Sequence, residues 1–418
     1  MSFRLFLICL IVISVSLPMA WISLSKVLLF IFGLAYLITD HVNERIDTSL
    51  DVLWTPRIIL ATLIFFSLSI LWTEVDTETA LLVLVKHSKL LEILILITLI
   101  RTVQEARIGI SAFVAGQTFL LTSSWLLAFG VPIPWVTNPI GRYVVFSSYL
   151  DQSIIFATSA AVFWHLRSDK LWPRWIGIAL AASALINVLL LLEGRTGYVV
   201  ALAVIALAVM WAMPKRLRLA ALVVTPIIVL FGLYLGSTQV QDRISKIINE
   251  SQNYSKQVDI DSSSGWRLNA WHRSVQAIEM SPWLGHGVGS WTSTVKQIEG
   301  STSVKTFGEG KISNPHQEYL LWGVELGIGG TMLLLSLMIC IARDAHRFND
   351  ATMRATLSVL VAMAVACLFN SSLYDALMGD FFCIALGLLM ALGIRSSLQY
   401  ESNSPIQTTE TERLKALS

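Results

Sequence analysis

Residues 197–236 read GYVVALAVIALAVMWAM, then PKRLRL, then AALVVTPIIVLFGLYLG. Two uncharged apolar runs of 17 residues flank a short turn carrying Lys215, Arg216 and Arg218. At 1.5 Å per helical residue each run extends about 26 Å, close to the roughly 30 Å hydrocarbon core of a bilayer. A backbone in lipid has no water to bond, so the runs read as helices, and the pair as a transmembrane hairpin with its basic turn in the cytoplasm. The rest of the chain agrees. Of its 418 residues 55% are hydrophobic and 14% charged, against about 25% charged in soluble domains. The expected fold class is an all-α integral membrane protein.

Outward from this hairpin, apolar runs recur near residues 3–16, 19–39, 57–72, 88–104, 108–130, 150–166, 175–192, 197–213, 218–236, 317–341, 355–374 and 378–394, about twelve transmembrane helices. The first has the look of a leader, but another apolar run follows directly after Leu17-Pro18-Met19-Ala20, so it reads as half of a helical hairpin. With the N-terminus inside, one set of loops collects Arg45, Arg57, Arg101, Arg107, Arg167, Lys170, Arg174, Lys215, Arg216, Arg218, Arg343, Arg347 and Arg354. The short loops of the other side keep Lys86, Lys89, Arg142 and Arg195. That bias places both termini in the cytoplasm. The predicted organisation is nine spans over 1–236, one large outer loop over 237–315, three spans over 316–397 and a polar cytoplasmic tail over 398–418. Cys9, Cys340, Cys367 and Cys383 fall within apolar segments and read as small buried hydrophobes. A net charge of +2 identifies no partner, and nothing indicates nucleic acid.

The large loop is the one sizeable segment outside the bilayer, so chemistry is expected in or beside it. Its stretch from Asp261 through Trp266, Arg267, Trp271 and Arg273 predicts an amphipathic, serine-capped helix closed by Ser281-Pro282. Leu284-Gly-His-Gly-Val-Gly289 follows a helix where a dinucleotide fingerprint needs a strand, and reads as a tight turn back toward the membrane. Asp259 and Asp261 are spaced to chelate a divalent ion on a diphosphate or, more simply, to precede a helix N-terminus; no metal is expected. In Asn314-Pro-His-Gln-Glu-Tyr319, Asn-Pro biases the chain out of helix and puts His316 at the mouth of the tenth span. There it either exchanges a proton near neutral pH or bonds to its neighbours at the helix start.

His316-Gln317, nine residues, Gly327, two residues and Gly330 resemble the signature of the O-antigen ligase family. Arg195 at a short outer turn, Gly265-Trp-Arg267, and Pro282-Trp-Leu-Gly-His-Gly287 extend the resemblance, as do the twelve spans and the loop before the histidine. Polymerases of O-antigen, which share much of this plan, tend to carry arginine-x10-glycine. Eleven residues beyond Arg142, Arg195, Arg267 and Arg273 stand Ser153, Ala206, Ile278 and Leu284, whereas His316 has Gly327 there, which favours a ligase.

The resemblance implies a GT-C-like glycosyltransferase bundle in a bacterial inner membrane with its site facing the periplasm. It implies an undecaprenyl-diphosphate-linked glycan as donor, a lipid A-core oligosaccharide as acceptor, and no cofactor. His316 would be the general base of an inverting transfer, and Arg195, Arg142 and Arg267 would bind the diphosphate through forked donors. Gln317, Tyr319, Lys86 and Lys89 are further candidate contacts, with packing, or snorkelling at the membrane surface, as the simpler alternatives. His87 joins the two lysines in an outward basic cluster, while Asp151, Asp375 and Asp380 at span ends read as caps or interhelical bonds. A polymerase or a protein O-oligosaccharyltransferase would use the same donor. A transporter of a lipid-linked substrate is the rival from another class, though the 80-residue loop, about that long, breaks any six-plus-six symmetry. The apolar spans are too uniform to indicate an oligomeric state.

Overall fold

Polar residues placed just before apolar runs start the helices. Ser2, Asp76, Thr102, Ser148 and Asn349 each accept a backbone N–H two or three residues into the helix that follows, and Pro56 stands in the first turn of another. The computed structural model describes residues 2–42, 51–137, 139–168, 171–236, 241–242, 245, 263–300 and 313–402. In order, the helices are α1 (Phe3–Ser14), α2 (Met19–Val42), α3 (Thr55–Leu68), α4 (Thr77–His87), α5 (Leu90–Leu99), α6 (Val103–Ala128), α7 (Tyr149–Leu166), α8 (Arg174–Ile186) and α9 (Arg195–Ala212). There follow α10 (Arg218–Gly236), α11 (Ser263–Met280), α12 (Trp291–Gly300), α13 (Glu318–Ala345), α14 (Asp350–Phe369) and α15 (Ala376–Ser402). Among the described residues there is no strand, only an isolated bridge between Ile140 and Ser148.

Every expected span contains a helix, but they are not equivalent. Among the described residues eight helical segments are long and apolar enough to cross a membrane by length and composition, as in a multi-pass membrane protein. At 12 and 10 residues α1 and α5 are shorter, about 18 and 15 Å against the roughly 30 Å required. α7 carries Asp151, Gln152 and His165 and is almost wholly enclosed. An unexpected helix, α4, lies in what reads from sequence as a loop. At the centre stands α15, packed on α5, α6 and α14, its apolar window fully buried; α10 touches α9 and buries none of its residues. α15 continues to Ser402, past the expected boundary at 397, and 403–418 lie outside the described residues.

The bundle has two chemically distinct ends. At the basic end Arg4 pairs with Glu105. The Asp344 carboxylate accepts the N–H groups of Trp54 and Thr55 at 2.9 and 2.8 Å and so finishes the start of α3. Arg395 donates to Ile100 O and Ile97 O at 2.7 and 3.1 Å at the end of α5. Asp344 and Arg395 thereby satisfy orphan backbone groups of helix ends.

Candidate functional site

Three elements meet at the opposite end around the turn 370–375 that joins α14 to α15. Glu318, fully buried in the first turn of α13, accepts the N–H of Leu373 at 2.9 Å and of Tyr374 at 3.2 Å, while its other oxygen takes Trp322 Nε1 at 2.8 Å. From the other side Lys89 Nζ donates to the carbonyls of Leu373 and Tyr374 at 3.2 Å and to that of Asp375. An anion thus holds the turn's donors and a cation its acceptors, which satisfies a backbone that belongs to no helix. Lys86 lies 3.9 Å over the Tyr374 ring. Below the turn Asp380 pairs with Lys26 of α2 at 2.7 Å.

His316 faces this turn. Its Nδ1 lies 3.2 Å from Asn370 Oδ1, its backbone N–H bonds Asn314 Oδ1 at 2.9 Å, and its φ of 50° is a left-handed conformation uncommon outside glycine. For the carboxamide oxygen to accept, Nδ1 must carry the proton, which leaves the Nε2 lone pair available. The edge of Trp266 meets the imidazole at 5.1 Å, and Trp271 Nε1 bonds Pro315 O at 3.1 Å, so α11 walls the histidine from the side. Burial and, next, the charge of Arg267 push the His316 pKa below its usual value, against the opposing pull of the Asn370 bond and of Asp375. The ring is therefore neutral at neutral pH, the form a general base requires.

The α11 helix is then led into the bundle. Gly285, Gly287 and Gly289 all have positive φ, and the turn they make docks on a break in α13 at Gly327, whose φ is 67° and ψ −162°. His286 N bonds Val324 O at 2.9 Å, Gly287 N bonds Glu325 O at 2.8 Å, and Ile328 N returns to Pro282 O at 2.8 Å. A Cβ on Gly327 would stand 2.6 Å from Pro282 O. The glycine turn is a plug in an interrupted helix, and irregular backbone is tolerated there because protein surrounds it. The eleven-residue step from His316 to Gly327 spans the short half-helix between the histidine and the plug.

The remaining candidates divide. Arg267 is brought to His316. Arg195 begins α9, where Gly194 and Gly197 press on Ser153 of α7; Asp151, two residues earlier, accepts from Ser148 Oγ at 2.8 Å and feels the charge of Asp375. Arg142 is exposed on the 131–148 loop, and neither it nor Arg195 is among the charges acting on His316. The Gln317 side chain caps α13, its Oε1 accepting Leu320 N at 2.5 Å, and the Tyr319 hydroxyl donates to Ala364 O at 3.1 Å. Lys86 and Lys89 point to the 370–375 turn. His87 is not outward: α4 turns it inward, 2% exposed, stacked on Phe66 at 3.9 Å with Nε2 3.4 Å from Glu325. Asp259 and Asp261 lie outside the described residues. Sequence reasoning missed Asn370 and Glu318. Asn370 is 54 positions from His316 with no motif around it; a buried-helix glutamate directly after His-Gln was the available signal for Glu318.

A comparison with curated proteins found no match. The segment bearing Arg195, Arg267, the glycine turn, His316 and Gly327 is nevertheless recognised, for the model of the family described as O-antigen ligase matches residues 179–335, and this part of the chain is similar to that family.

Proposed function

We propose that the protein is an O-antigen ligase proper, which moves a glycan from undecaprenyl diphosphate to a lipid A-core oligosaccharide at the periplasmic face of the inner membrane. The observation that carries this reading is His316, held neutral beside Arg267 with Nδ1 on Asn370 and Nε2 available. Nε2 removes the proton of the acceptor hydroxyl as that oxygen attacks the anomeric carbon. The glycosidic bond to the diphosphate breaks on the opposite face, so the product is inverted. Arg267 stabilises charge that develops on the leaving diphosphate, a role that the resemblance also assigns to Arg195 and Arg142 on their own outer turns. The basic end is cytoplasmic in this reading, and the twelve helical segments form a GT-C-like bundle.

The test is ligation by purified protein, given undecaprenyl-diphosphate-linked glycan and lipid A-core without ATP. Product formation that is lost in His316→Ala supports the proposal; unchanged rates in that variant reject it. A gel of cell-surface glycan separates the two functions open to the family. Long chains left on the carrier lipid in a null strain mark a ligase, and single repeat units on core mark a polymerase.

A further inference from the structure

Between α7, α8 and α9, away from His316, lies an apolar cavity of about 260 Å³. Ala161 and Trp164, Ile178 and Ala182, and Ile205 and Ala208 form its walls. The volume is below the roughly 300–1,000 Å³ of clefts that enclose a whole small molecule. The alanines leave a slot open to the bilayer between larger neighbours, shaped to take part of a hydrocarbon chain.

One end of this slot is cationic. The Arg167 guanidinium sits 3.9 Å over the ring of Trp164, one of the walls, and donates to Trp164 O. Arg174 precedes Ile178 by one helical turn and shares its face of α8. Arg167 lies within electrostatic range of Arg174 and Arg354. Arg354 is bound to Asp350 at 2.7 Å, whereas among the described residues no carboxylate pairs with Arg167 or Arg174. Trp175, 68% exposed, stands beside them at the depth where indoles anchor to a membrane surface.

We infer that this is a binding site for one anionic phospholipid of the leaflet at the basic end. The headgroup phosphate bridges Arg167 and Arg174, and an acyl chain fills the slot. The donor's carrier lipid is the wrong occupant, because its diphosphate belongs at the other end of the bundle, beyond Arg195 at the far terminus of α9. The exclusion of the carrier lipid rests on the ligase reading, whereas the site itself rests on the slot and the two arginines.

Native mass spectrometry of the full-length protein tests it, after reconstitution in vesicles of equal phosphatidylglycerol and phosphatidylcholine with matched chains. The wild type should retain phosphatidylglycerol preferentially. The double variant Arg167→Gln, Arg174→Gln should lose roughly tenfold of that retention and keep that of phosphatidylcholine. Ala182→Phe, made at an exposed wall position, should reduce retention of both lipids and serves if the charge variant fails to insert. Equal retention of the two lipids by the wild type, or a preference that survives the double variant, overturns the proposal. So does undecaprenyl phosphate displacing phosphatidylglycerol in an Ala182-dependent way, which would give the slot to the carrier.

Discussion

At the basic end Asp344 and Arg395 each close one helix end, the start of α3 and the end of α5, while Arg4 and Glu105 pair with each other. At the other end Glu318 and His316 from the start of α13 and Lys89 from the junction of α4 and α5 converge on one short turn, with the charge of Arg267 of α11 acting on His316. The same residue chemistry thus serves two ends. Where charges are dispersed, each on its own helix end, they stabilise; where they are pooled, they fix an imidazole and a turn between helices. A buried ion inside a membrane protein is a functional indicator chiefly in the second arrangement.

The sharpest break of this comparison is His316→Ala, expected to lower glycan transfer about 10²- to 10⁴-fold with no change in thermal melting. Asp344→Ala should do the reverse. It strips partners from Trp54 N, Thr55 N and the Thr55 hydroxyl, costs about 3 kcal/mol in a denaturation assay, and leaves the turnover of the folded fraction intact. A measured loss of turnover there would show that the two ends are coupled.

Gly327→Ala lies between these, since a side chain at φ 67° both strains the backbone and meets Pro282 O. It should cost about 2 kcal/mol and also lower transfer, because the displaced plug leads directly into α11, which carries Arg267 and Trp266. Smaller still is a pH effect. With His316 as the proposed base, the rate should follow its neutral form and rise with pH through a pKa that lies below the ordinary value. Arg267→Gln removes a cation that disfavours the imidazolium and should move the acid limb of the profile to higher pH, whereas Asn370→Ala should move it lower. Opposite shifts would separate Arg267 from the base. Least of all, Arg354→Gln at the basic end breaks an exposed i,i+4 pair with Asp350 and should change stability by no more than about 0.5 kcal/mol.

Much of this was legible in one dimension. Apolar run length marked the helices, because each must satisfy its own backbone in lipid. The extent of α11 followed from its serine start and its Ser281-Pro282 stop. His316 and Arg195 stood out because charge and imidazole are rare beside apolar spans, whereas Arg267, near His272 and Arg273, stood out through the family resemblance. Less legible was α4, whose buried face of Ala80, Val83 and His87 is too short to register as a periodic run. Gly285 and Gly287 signalled a turn, but not that it would enter a helix 40 residues on.

Sequence alone determined the solvent of this protein and the residues costly enough in that solvent to require a purpose, since both follow from local composition and the length of a bilayer crossing. Tertiary structure alone decided which of those residues meet. Asn370 under His316, Glu318 and Lys89 on opposite sides of one turn, and the glycine plug at Gly327 are pairings across large separations in the chain, and these arise from how the helices pack together.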